Sequence, residues 1–146
     1  MPTSAEQTPR VFPAHDYAVG REKIREYARA VGETNPLHLD LEAARGTGHA
    51  DLVAPPMFVV VYASAAFEAA MHDDELAIDF AMLLHVGQEF EWGELVIAGD
   101  EITTEISLEE ISERLGMRFY AFHSRSSSQR GEVCRGIWTV IVRPRE

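Results

Sequence analysis

Apolar residues recur along this chain with two different periods, and the change from one to the other divides it. From Arg21 to Val31 the apolar residues Ile24, Tyr27, Ala28 and Val31 fall at i, i+3, i+4 and i+7, and charged residues take the other faces. That spacing predicts an amphipathic helix, closed by Gly32. A short strand is expected before it, around Phe12 to Val19. Residues 33–54 have no period: Asn35-Pro36, Gly46 and Gly48 interrupt them, leaving room for a short helix at Leu41 to Arg45. Pro55-Pro56 then opens a second helix, from Met57 to about Met71, because proline suits the first helical turn. This helix is apolar on nearly every side, through Met57, Phe58, Val59, Val60, Val61, Tyr62 and Phe67, so other chain must wrap it. Its β-branched run leaves Phe58 to Tyr62 open to a strand reading as well.

Beyond an acidic loop at His72 to Asp79 the period becomes two. Leu84, Val86, Phe90 and Trp92 alternate with His85, Gly87, Glu89 and Glu91, and Gly99-Asp100 marks a turn. Ile102, Thr104, Ile106 and Leu108 alternate with polar residues next. Two further strands, about Met117 to Ser126 and Glu132 to Val142, flank a serine-rich turn and suggest a hairpin. An α+β fold, one curled antiparallel sheet around a buried helix, satisfies this order.

The 146 residues suit one domain over residues 11–146, behind a loose tail at residues 1–10. That tail is polar, unlike a signal peptide, and the longest apolar run, Met57 to Ala66, is too short for a membrane span of about 20 residues. The lone Cys134 has no partner for an internal disulfide. A soluble cytoplasmic protein is expected. A net charge of −11 argues against general nucleic-acid or anionic-membrane binding.

The charge is unevenly spread. Gly46 to Glu113 holds fifteen acids and no Lys or Arg, whereas Arg114 to Glu146 holds seven arginines against Glu132 and Glu146. Either antiparallel strands interleave these segments and neutralise them, or arginines gather as a basic lip for a phosphate-bearing ligand. Arg114, Arg118, Arg125, Arg130 and the Arg21–Arg29 helix face are the candidates for that lip.

The segment with the most chemistry is Gly32-Glu33-Thr34-Asn35-Pro36-Leu37-His38-Leu39-Asp40. A carboxylate and an imidazole five residues apart, on irregular chain with a proline-fixed turn, can converge on one water, and Asn35 can fix the turn or a ligand. An ordinary polar turn after a helix would read the same way.

In this context the motif Gly32-Glu33-x-Asn35-Pro36-Leu37-His38-x-Asp40 resembles the signature of MaoC-like (R)-specific enoyl-thioester hydratases and 3-hydroxyacyl dehydratases, which are hot-dog folds. The Val19-Gly20-Arg21 helix start, Val53-Ala54-Pro55 and Ala98-Gly99-Asp100 stand in the same order. The resemblance runs from about Phe12 to Val142, and is strongest to the small dehydratase subunits of long-chain acyl synthesis, which pair catalytic with non-catalytic chains. It implies that Glu33 and His38 hold the water that adds to, or leaves from, an acyl thioester on CoA or acyl carrier protein. It further implies that Asn35 orients the site, that the chain start around Pro56, Met57 and Phe58 meets the thioester oxygen, and that no cofactor is needed. It also implies a homodimer or a heterodimer with a second hot-dog chain.

Two residues depart from the pattern. Glu33 stands where the family has Asp, and Pro56, which has no N–H, stands where it has a Gly whose N–H meets the oxyanion. Loss of one such donor costs roughly 10²–10³ in turnover, and the N–H groups of Met57 and Phe58 are the expected substitutes. The alternative function is therefore a non-catalytic acyl-binding subunit. Ser64 is a candidate pocket residue, and Glu68 would serve a thioesterase if it faced the pocket. His85 and His123 are expected to pack or hydrogen-bond within strands, and His49-Ala50-Asp51 lacks the third ligand a metal would need.

Overall fold

The computed structural model describes residues 9–146. Residues 1–8 of the expected tail lie outside it, whereas Arg10, at the tail's end, is already in a strand. Two short strands, β1 (Arg10–Val11) and β2 (His15–Ala18), replace the single one expected over Phe12 to Val19. Pro13, which cannot donate to a ladder, falls in the break between them. Helix α1 (Arg21–Ala30) follows, then a 3-10 turn at Pro36–His38 and helix α2 (Leu41–Gly46). A second 3-10 turn, Pro56–Phe58, leads into α3 (Val59–Tyr62) and α4 (Ser64–Met71). Four long strands complete the chain: β3 (Leu83–Trp92), β4 (Glu101–Arg114), β5 (Met117–Ser128) and β6 (Gly131–Val142).

All pairings are antiparallel, in the order β4-β5-β6-β3, with β1 and β2 sharing the far edge of β4. The six-stranded sheet does not close, and β3 forms its other edge. Ile102, Ile106, Tyr120, Phe122, Trp138 and Val140 face inward, and Phe58, Val59, Tyr62, Ala66 and Phe67 of the central helices pack against them. This is the hot-dog arrangement, and burial of those aromatic and branched side chains drives it.

The central helix differs from expectation in two respects. It is broken at Ala63, where the Ser64 hydroxyl donates to the Val61 carbonyl at 3.0 Å, a back-bond that bends helices and here follows three consecutive valines. It is also wrapped on one side only: Met57 and Val60 are 44% and 36% exposed, and Ser64 and Glu68 continue that open stripe.

The charged segments neutralise each other across the sheet. β4 and β3 come from the acidic stretch and β5 and β6 from the basic one, so one row across the strands reads Glu105, Arg125, Arg135, Glu91. Arg125 and Arg135 both bind Glu132 at 2.6 Å, and Arg130 binds Asp100 at 2.7 Å. Arg114 lies over the Phe119 ring, Arg21 holds Asp51, and Arg25 holds Glu22. The arginines expected to form a free lip are thus mostly engaged within the chain. No helix among the described residues is long and apolar enough to cross a membrane.

Candidate active site

The end of α1 aims the motif. Gly32 takes φ 74°, its N–H donates to the Arg29 carbonyl, and the Glu33 N–H reaches back to Ala28 at 2.8 Å. This double closure turns the chain sharply and sets Glu33 at the mouth of the following loop. Asn35 then caps the 3-10 turn, its Oδ1 accepting from the Leu37 N–H at 3.0 Å, and Asp40 caps α2 through the Glu42 and Ala43 N–H groups. Asn35 and Asp40 thus each answer a backbone donor that the turn leaves open.

His38 is buried, and its Nδ1 lies 2.6 Å from the Val53 carbonyl. A carbonyl only accepts, so Nδ1 carries the hydrogen and Nε2 of the neutral ring presents its lone pair. Nε2 has no partner among the described residues. The Val53 N–H donates to Leu37 at 3.0 Å, which locks the two segments together around the ring.

A cavity of about 290 Å³ opens at this point. Asn35, Leu37 and His38 form one wall, Val53 to Pro56 with Tyr62 a second, and Trp92 to Val96 a third. The walls are largely apolar, and Trp92 Nε1 closes one corner by donating to the Pro56 carbonyl at 2.8 Å. A larger hollow of about 830 Å³ lies over the outward side chains of the sheet, but Glu105, Arg125, Arg135 and Glu91 there form the charge row just described, and none of the motif residues reaches it.

Comparison with known proteins decides the family. Residues 7–136 match the family described as FAS1-like, dehydratase domain region. The chain belongs to this dehydratase family. A UPF0336 protein of Clavibacter michiganensis is 39% identical over 145 residues, covering 98% of this chain and 97% of its own. The HadBC (3R-hydroxyacyl-ACP dehydratase) complex of Mycobacterium tuberculosis superposes with a TM-score of 0.76 at 27% identity, over 97% of this chain and 99% of that one. A MaoC-like dehydratase gives 0.78 at 29% identity, over 92% of this chain and 41% of that longer one. The hot-dog dehydratase class is therefore the class of this chain.

Within this dehydratase domain the residues singled out from sequence separate into two groups. Asn35, His38 and Pro56 meet at the cavity. Glu33 is half-buried beside it, its Oε1 accepting from the Thr34 and Asn35 N–H groups at 3.0 and 3.2 Å, while Oε2 has no partner among the described residues. Met57 is exposed, and Phe58 is fully buried in a ring cluster with Tyr17, Tyr27 and Tyr62. The Phe58 N–H donates to the Pro55 carbonyl at 2.9 Å, so it is not the free donor expected of it; a 3-10 turn consumes that group where an α-helical start would leave it open. Ser64 and Glu68 lie on the exposed side of α4, outside the cavity. His85 bonds the Gly87 carbonyl at 2.9 Å. Among the described residues no three His, Cys, Asp or Glu side chains gather to hold a metal. Sequence reasoning passed over Tyr62, Trp92 and Glu94 as cavity residues, because the first reads as core and the others as strand end and turn.

Proposed function

We propose that this chain catalyses the reversible (R)-specific hydration of enoyl thioesters and dehydration of 3-hydroxyacyl thioesters, carried on CoA or acyl carrier protein. The observation that supports it most is His38, held by Val53 in one tautomer with a free Nε2 on an apolar cavity of acyl dimensions. Glu33 Oε2 and His38 Nε2 share one water: the carboxylate steadies it, the imidazole takes its proton, and the hydroxyl adds at C3. Asn35 fixes the turn that sets their spacing. The chemistry calls on no cofactor. A second hot-dog chain, identical or a sister, completes the open face, and the cytoplasm suits the unpaired Cys134.

Purified chain is expected to hydrate crotonyl-CoA, followed by loss of enoyl absorbance, with Glu33→Gln and His38→Ala each at least about 100-fold slower. Absence of turnover, or variants as fast as the parent, overturns the reading. A second reading, a non-catalytic acyl-binding subunit, is favoured by one observation: Glu33 turns one oxygen onto its own loop while Pro56 offers no N–H. Its signature is turnover that appears only with a sister chain and is indifferent to Glu33→Gln.

A further inference from the structure

Several donors around the cavity are already spent within the chain. The N–H groups of Val53, Ala54, Gly93 and Glu94 all donate within the chain, Pro55 and Pro56 have none, and the Trp92 indole N–H is taken by Pro56. The Phe58 N–H is likewise spent. One buried hydroxyl stands in the lining as well. Tyr62, at the end of α3, is 3% exposed and lines the same cavity as His38. Its hydroxyl makes no hydrogen bond to nitrogen or oxygen of the described residues. Nor is it among their sealed, unpartnered polar atoms, of which Gln88 Oε1 is the one example. Its neighbour is the Cys134 thiol, which donates to the Arg135 carbonyl at 3.4 Å.

We propose that Tyr62 is the second polar anchor of the cavity, its phenol O–H donating to the carbonyl oxygen of an acyl thioester whose C2 and C3 lie against His38. The inference rests on the thioester reading above and adds a residue to it. As the water oxygen bonds C3, the C2–C3 π pair shifts and negative charge gathers on the thioester oxygen. The enolate then collapses, and C2 takes the proton that the water gave up. Tyr62 keeps its own proton throughout and stabilises the charged oxygen by donation, which strengthens as the charge grows. Burial pushes the phenol pKa upward, which keeps it a donor at physiological pH. A side chain thereby adds a donor where Pro56 and Phe58 withhold theirs.

Tyr62→Phe removes the O–H and keeps the ring against Phe58, 6.2 Å away between centroids. Two readouts are taken on the full chain: crotonyl-CoA hydration, and the infrared carbonyl stretch of bound crotonyl-CoA carrying ¹³C at C1. The wild type is expected to lower the stretch relative to free ligand. Tyr62→Phe should lose that shift and about 10²–10³ in kcat, with KM changed far less. If Tyr62→Phe does not fold, 3-fluorotyrosine at position 62 replaces it, and the more acidic phenol should lower the stretch further. An unchanged stretch with unchanged kcat overturns the role of Tyr62 and leaves the hydratase reading standing. A Tyr62-dependent shift in a chain that turns nothing over supports the anchor and overturns the hydratase reading. Failure of the wild type to bind crotonyl-CoA overturns both.

Discussion

Cys134 and Tyr62 place two weak acids side by side in the interior, and both are harder to ionise there than in water. Burial pushes the Cys134 thiol up to about 11. An unfolded thiol ionises near about 8.5. Between about 8.5 and 11 the unfolded chain therefore sheds a proton that the folded chain keeps, so this group's contribution to stability is full below that window and is lost as pH rises through it. Urea midpoints are expected to fall between pH 8 and 10.5, and Cys134→Ala should flatten that decline. A decline of equal steepness in the variant would assign it elsewhere. At this same scale His38 was legible as a functional residue, because its motif is distinctive. Tyr62 was not, because a tyrosine in an apolar helix has the same pattern whether its hydroxyl meets a cavity or a carbonyl.

Among the elements, the connection from β3 to β4 has the greatest bearing on the site, since residues 92–96 form a cavity wall. Asp100, 1% exposed, fastens it: Oδ2 accepts from the Ile97 N–H at 2.9 Å and from Arg130 at 2.7 Å, and Oδ1 from Gln129 at 3.1 Å. Arg130 also donates to the Leu95 carbonyl at 2.6 Å, tying the wall to the β5–β6 turn. Asp100→Ala leaves a part-buried amide without its acceptor and the Arg130 guanidinium with only the Leu95 carbonyl, and should cost about 1–3 kcal/mol by chemical denaturation. A loss under about 0.5 kcal/mol, the range of an ordinary surface change, would remove Asp100 from that role. The Ala98-Gly99-Asp100 motif was visible in sequence as a turn. Its partner Arg130 lies thirty positions away, in a hairpin that no local pattern connects to it.

For the whole molecule, the unpaired edge strand dominates. Leu84, Val86 and Trp92 on β3 are 45%, 51% and 47% exposed, and Met57 and Val60 of the central helix are exposed too. A long apolar edge of this kind is a pairing site. Pairing with a copy or a sister hot-dog chain is expected to disappear in Val86→Lys. Sedimentation, alone and after co-expression with the sister, should then return the 16.3 kDa of one chain. Persistence of the larger species would place the interface away from β3. The alternation of apolar residues predicted this strand. Its exposure follows from strand order, which puts β3 beside β6 and leaves the other edge open.

Local physics alone determined much of this protein. Period, proline and glycine mark α1, the capped turn around Asn35 and His38, and the long strands, because each depends on neighbours within a few residues. Charge arithmetic likewise exposed an acidic and a basic segment. Tertiary structure alone decided that the acidic strands flank the basic pair in one sheet, that a serine back-bond breaks the central helix, and that the Phe58 N–H is spent. It also decided that Tyr62 and Trp92 share a cavity with His38. These outcomes depend on which distant groups meet, and contacts between residues tens of positions apart follow from packing and strand order, on which local periodicity has no bearing.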